Sequence, residues 1–195
     1  MATPDPLVIA IAGPNGAGKT TLAPFLLRNH FGLTEYVNAD TIALGLSAFR
    51  PDGAAFEAAR IMLMRIRGLA DARTHFAFET TLATRSYARW LRDLKQGGYR
   101  FHLMFLWLRS PELALERVRY RVLTGGHAVP EEVVRRRYHR GASNFFDSYQ
   151  PMADSWVVYD NSVSGRVIKI AAGEGPSVTE VLEESLWKEF KKAAT

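Results

Sequence analysis

The chain has 195 residues, a length that fits one domain of roughly 100–200 residues. It is 47% hydrophobic and 23% charged, which excludes a largely disordered chain. With no cysteine, it can hold no disulfide framework, thiolate nucleophile, iron–sulfur cluster or cysteine zinc site. The formal charge of +5 rests on arginine and suits a phosphate-rich partner, a nucleotide or a nucleic acid. No apolar run approaches the roughly 20 residues that cross a bilayer, and Asp5 stands where a secretory signal would be basic. A soluble cytoplasmic protein without membrane contact is expected.

Leu7 to Ala12 is a short continuous apolar run, the pattern of a strand buried on both faces. A glycine-rich turn follows, then a helix from about Lys19 to Asn29, with Pro24 expected to disturb its early turns. Tyr36-Val37-Asn38 reads as a second strand. The stretch from Asp52 to Arg73 reads as a long amphipathic helix with Phe56, Ala59, Ile61, Leu63, Met64 and Ile66 on its apolar side. His75 to Phe78 is a third strand ending in Glu79, and Ser86 to Gln96 a helix stopped by Gly97-Gly98. Phe101 to Leu108 is the strongest strand. Ser110-Pro111-Glu112 has the cap and first-turn proline of a new helix, and Pro130-Glu131-Glu132 opens another that reaches about Phe146. Trp156–Tyr159 and Val167–Ile170 are late strands, and the residues after Ser177 are expected to form a charged terminal helix. Strands alternating with helices predict a three-layer α/β fold, a parallel sheet with helices on both faces.

Gly13-Pro14-Asn15-Gly16-Ala17-Gly18-Lys19-Thr20 matches G-x-x-x-x-G-K-[ST] between a buried strand and a helix. The spacing predicts a P-loop NTPase fold. Glycines let backbone N–H groups and the helix N-terminus wrap a phosphate, Lys19 reaches the β- and γ-phosphates, and the Thr20 hydroxyl is placed to ligand Mg²⁺. A triphosphate, ATP or GTP, with magnesium is therefore the expected cofactor, and Thr21 closes the binding segment. No L-S-G-G-Q or N-K-x-D sequence is present, and the chain is short for a helicase or motor, which leaves a compact phosphotransferase.

Such an enzyme needs a base beside an acceptor hydroxyl and cations over the phosphates. Asp40, at the sheet edge where α/β proteins bind ligands, is either that base or the cap of the following helix. Glu79, in Phe78-Glu79-Thr80-Thr81-Leu82, either binds substrate hydroxyls or holds magnesium through water. Two helices, about 111–123 and 130–146, flank Thr124-Gly125-Gly126-His127-Ala128-Val129 as an arginine-rich lid hairpin spanning 111–146. Arg117 and Arg121 share a face, whereas Arg135, Arg136 and Arg137 point in three directions. The Phe145-Phe146, Trp156 and Tyr159 aromatics read as core. Arginines gathered at a lid, without an aromatic-interleaved basic stripe, disfavour nucleic acid as partner. Polynucleotide or nucleoside kinases and a non-catalytic ATP-binding switch are the alternatives.

Gly13–Thr21, Asn38-Ala39-Asp40, Phe78–Leu82 and Gly125–Pro130 with its following arginines, together with Tyr159-Asp160-Asn161-Ser162, resemble the zeta toxin family from about residue 7 to 162. The resemblance implies a single P-loop kinase-like domain over residues 1–195 that phosphorylates UDP-N-acetylglucosamine with ATP, and an antitoxin protein as partner. It makes Lys19 and Thr20 the phosphate and magnesium residues, Asp40 the general base, and Glu79 and Thr81 contacts to the sugar-nucleotide. Arg121, or its neighbour Arg117, takes the place of the first lid arginine. His127 stands where the toxins carry a second, so one of Arg135–Arg137 is left for that role, and Arg117, His127 and Arg136 are assigned to the substrate side. The basic residue that follows the third-strand motif in the toxins falls near Ala83, which leaves Arg85 as its substitute.

Overall fold

The computed structural model describes residues 5–47, 51–124, 126 and 128–195. Met1–Pro4, and Gly125 and His127 of the expected lid loop, lie outside the described residues. In chain order the elements are β1 (Leu7–Ala12), α1 (Lys19–Phe31), β2 (Tyr36–Val37), α2 (Ala39–Leu46) and α3 (Ala55–Asp71). Then come β3 (Phe76–Thr80), α4 (Ser86–Gln96), β4 (Arg100–Trp107), α5 (Pro111–Leu123) and α6 (Glu131–Asn144), which continues through a π-helical turn, Phe145–Tyr149. The chain closes with β5 (Ser155–Val163), β6 (Arg166–Glu174), β7 (Ser177–Val181) and α7 (Glu184–Ala193).

Among the described residues, seven strands form one sheet in the order β2-β3-β1-β4-β5-β6-β7. The first five run parallel, as the alternating pattern predicts, but β5-β6 and β6-β7 are antiparallel. The reason is connection length. Ser164-Gly165 and Gly175-Pro176 are two-residue turns, with Gly165 and Gly175 at positive φ, and a turn that short joins only antiparallel neighbours. The terminal helix expected from Ser177 consequently starts at Glu184, because Ser177–Val181 pairs as a strand with β6.

Alternation along β1 sends Val8, Ala10 and Ala12 to one face and Ile9 and Ile11 to the other. The first face packs against α3, α4 and α7, the second against α1 and α5, which gives three layers. α6 serves both: Val134 and Tyr138 join the second core, and Ala142 the first. Aromatics of the π-helical turn and of β5 seat α7, with Phe145 edge-on to Phe190 and Trp156 of β5 stacked on Trp187. α1 runs on through Pro24.

The helix from Asp52 forms, but its buried side differs. Ala58, Met62, Ile66, Leu69 and Ala70 face inward, whereas Phe56 and Met64 are 80% and 70% exposed. The segment is apolar over much of its circumference, so periodicity alone leaves its phase open. Packing chooses it: Ala58 fits beneath Ala43 and Ala54, and Met62 and Ile66 meet the sheet.

Candidate functional site

β1 and β3 are neighbours, and the chain leaves them in opposite directions, from β1 toward β2 and from β3 toward β4, which opens a crevice beyond the strand ends. The turn after β1 fills it. Gly13 has φ 138°, and a Cβ there would sit 2.1 Å from the Leu106 carbonyl oxygen, so only glycine lets the turn close on β4. Gly18, at φ 80°, leads into α1, and a Cβ would meet Asn161 Nδ2 at 2.6 Å. No side chain caps α1, so the helix presents its own N–H groups to the crevice.

Lys19 is buried, and its Nζ donates to the carbonyls of Gly13 (3.0 Å) and Pro14 (2.9 Å). Burial pulls its pKa below the ordinary lysine value, and Glu79, with Nζ 3.6 Å from Oε1, and then Asp40 oppose the shift. Thr20 Oγ1 donates to Glu79 Oε2 at 2.9 Å. The same oxygen accepts from the Tyr36 hydroxyl at 2.5 Å and from Asn38 Nδ2 at 2.6 Å. Burial, with Glu79 next in weight, pushes the Tyr36 phenol far above its usual value, so Tyr36 stays a proton donor.

Asn38 caps α2: its Oδ1 accepts from the N–H groups of Asp40 (2.7 Å) and Thr41 (3.2 Å). The capping duty open to Asp40 thus falls to Asn38. The Asp40 carboxylate, about half exposed, lies 3.6 Å from Arg121 Nη1 across the crevice.

The arginines divide by task. Arg117 donates to the carbonyls of Gly16 (3.5 Å) and Ser162 (3.0 Å), tying the glycine-rich turn to the end of β5. Arg137 places Nη1 3.4 Å from Asn15 Oδ1, and burial lowers its pKa while Asp40 opposes. Arg135 is bound to Glu112 and Glu131 at the surface, as Arg119 is to Glu131. Arg136 is exposed and does not line the crevice. The triplet therefore sends Arg137 inward where Arg136 was expected, because the phase of α6 is set by burying Val134 and Tyr138.

Together Lys19, Thr20, Thr21, Asp40, Glu79, Thr81, Arg117, Arg121 and Arg137 line a cleft of about 720 Å³, within the range of small-molecule sites. His127 lies outside the described residues. Thr81 enters through a tight loop in which the Gly141 Cα approaches its carbonyl so closely that a Cβ would sit 2.6 Å away. Leu82, buried, holds φ 53°, a left-handed conformation that is costly for a branched side chain. Asn144 pins this loop, donating to the Leu82 carbonyl at 2.7 Å and accepting from Arg85 Nε at 3.0 Å. Asn144→Ala would leave the Leu82 carbonyl buried without that donor, a loss of about 1–3 kcal/mol. The expected fall in melting temperature is roughly 2–10 °C, and an unchanged melting curve would show the loop to be held by other means.

Sequence reasoning assigned no role to Tyr36, Asn161 or Asp160. Tyr36 and Asn38, two apart, share one side of an extended segment, which was a readable signal. Asn161 donates to the Ala17 carbonyl at 2.8 Å, and buried Asp160 accepts from Arg109 and from Ser162. Nothing local in the sequence links Asn161 to a turn some 140 residues away, or Asp160 to Arg109 on another segment.

A sheet whose first five strands run parallel, with this glycine-rich turn, its lysine and its threonine at the switch point, defines a P-loop NTPase fold. The AAA domain family profile matches residues 8–141, and the chain belongs to that family. The chain is 29% identical over 130 residues to an uncharacterized protein of Haemophilus influenzae, covering 67% of this chain and 91% of that one. Its fold is similar to a crystal structure of AvrRxo1-ORF1:-ORF2 with ATP, with TM-score 0.73 and 16% identity over 98% of this chain. The chain spans 65% of the length of that protein. It is similar too to a structure from the PezAT chromosomal toxin–antitoxin system of Streptococcus pneumoniae, with TM-score 0.66 and 15% identity, over 97% of this chain and 80% of that one. At these identities the likeness is one of fold, and the zeta-toxin-like P-loop fold expected from the motifs is the fold found.

Proposed function

We propose that this chain is an ATP-dependent phosphotransferase that moves the γ-phosphoryl group to a hydroxyl of a small molecule, a sugar-nucleotide of the UDP-N-acetylglucosamine class. The observation that carries the reading is the Asp40 carboxylate, relieved of capping by Asn38 and facing Arg121 across the cleft from Lys19. An acceptor hydroxyl bound beside Asp40 gives its proton to the carboxylate as its oxygen bonds to the γ-phosphorus, and ADP leaves. Lys19, Arg121 and Arg137 supply the positive charge over the transferred group, and Thr81 borders the acceptor side.

Thr20 and Glu79 present hard oxygen donors 2.9 Å apart beside the phosphate seat, a donor set that suits Mg²⁺ shared with phosphates and water. When bound there, magnesium neutralises charge on the β- and γ-phosphates. A partner protein that controls the cleft belongs to the same proposal, supported by the toxin–antitoxin system whose fold this chain resembles.

The test is a mass-spectrometric search for transferred phosphate with Mg·ATP and a panel of UDP-sugars, free sugars, nucleosides and short oligonucleotides. A UDP-N-acetylglucosamine product heavier by one phosphoryl group, absent with Asp40→Asn, is the expected result. Product on a nucleoside or oligonucleotide would replace the acceptor, and no product with ATP still bound would leave a nucleotide-binding switch. Within the panel, Arg137→Ala is expected to weaken ATP binding about tenfold, the loss of one charge-assisted hydrogen bond. Arg136→Ala is expected to stay within about twofold, as for an exposed charge. Equal effects from both would refute this division.

A further inference from the structure

Glu79 has two possible duties at such a site: serving the nucleotide's metal or contacting the acceptor. Its hydrogen bonds distinguish them. Oε2 accepts from Thr20 Oγ1, from the Tyr36 hydroxyl and from Asn38 Nδ2, and Oε1 faces Lys19 Nζ at 3.6 Å. Both oxygens are therefore turned toward the glycine-rich turn, and two of the four partners belong to it.

The other two partners are held firmly. Asn38 is 4% exposed and is fixed at both ends of its amide, Oδ1 receiving the first N–H groups of α2 and Nδ2 reaching Glu79. It donates as well to Thr20 Oγ1 (3.2 Å) and to the Tyr36 hydroxyl (3.3 Å), closing a ring of four side chains. Tyr36 is locked by its strand, with Tyr36 opposite Ala77 and Val37 opposite Phe78, which sets the phenol beside the end of β3. Outer partners of this kind fix the direction of a carboxylate that serves a metal.

We infer that Tyr36 and Asn38 are positioning residues that hold Glu79 on the nucleotide side of the cleft, where it serves the magnesium of Mg·ATP and does not reach the acceptor. The inference rests on the reading of the cleft as an ATP site. Without these donors the carboxylate is free to turn away from the direction in which it meets the metal. Because Asn38 also starts α2, the same amide sets the position of Glu79 and the first turn that carries Asp40.

The experiment measures ATP affinity by calorimetry with magnesium and with a chelator, without any acceptor. Wild type, Tyr36→Phe, Asn38→Asp, Glu79→Gln and the Tyr36→Phe/Glu79→Gln double variant are compared, with melting curves to confirm folding. Asn38→Asp keeps the helix cap but replaces the donor to Glu79, Thr20 and Tyr36 with a carboxylate that repels Glu79, so it too unseats Glu79 and answers for Tyr36→Phe if that variant is unstable. Tyr36→Phe is expected to cut the magnesium-dependent gain in ATP affinity about tenfold or more and to leave magnesium-free affinity within about twofold. The double variant is expected to lose no more than Glu79→Gln alone, since the two act as one unit. A full magnesium gain in Tyr36→Phe would overturn the inference. So would a Glu79→Gln variant that keeps the full magnesium gain. A wild type that shows the gain but phosphorylates nothing would sink the transferase reading and leave this inference standing.

Discussion

Arg121→Ala is expected to slow phosphoryl transfer by about 10³-fold or more, the scale of an arginine that neutralises charge on a transferring phosphoryl group. Arg121 comes from the last turn of α5, and its Nη1 is 3.6 Å from Asp40, so it sits where attacking and transferred groups would meet. Its planar fork spreads charge over two oxygens, which a lysine does not, so Arg121→Lys should recover little. The loss should fall on the single-turnover rate, with ATP affinity changed much less, because the interaction strengthens as charge moves in the transition state. A fall of less than about tenfold, with Arg137→Ala slowing transfer more, would shift this task to Arg137.

Asp40→Asn is expected to reduce transfer about 10²–10⁴-fold, the usual worth of a positioned general base, and to leave ATP affinity and melting temperature nearly intact. The second half of that statement follows from Asn38. Since Asn38 caps α2, the Asp40 carboxylate can be neutralised without exposing a helix end, and it is about half exposed already. Asn38→Ala supplies the contrast, removing a cap worth about 0.5–2 kcal/mol. If Asp40→Asn keeps full turnover, the proton goes elsewhere and the proposed mechanism fails. If it melts as early as Asn38→Ala, the carboxylate is structural.

Much of the site was legible because its signals are local. The glycine-rich turn carries its own spacing, and Asp40 and Glu79 follow short apolar strands in the manner of crevice residues. Fold class followed from strand–helix alternation, and the caps at Ser110 and Gly97-Gly98 fell where the residues announced them. What escaped depends on phase and on distance. Whether Arg136 or Arg137 turns inward is decided by Val134 and Tyr138 packing on the sheet, and the inward side of α3 by Ala58 fitting beneath α2. The antiparallel end of the sheet was signalled by Ser164-Gly165 and Gly175-Pro176, two-residue turns that leave no room for a crossover. The bond from Asn161 to the Ala17 carbonyl joins segments that only the sheet brings together.

α6 lies against both cores, with Val134 and Tyr138 on one side of the sheet and Ala142 on the other, and it carries Arg137 toward the cleft and Gly141 against Thr81. A helix fastened to two cores acts as a crossbeam. The arginine that meets the glycine-rich turn and the glycine that shapes the Thr81 loop stand on the same span that braces the sheet. Heat or denaturant that loosens either core therefore dismantles the cleft in the same event, and a bound nucleotide that grips the span tightens both halves of the molecule together.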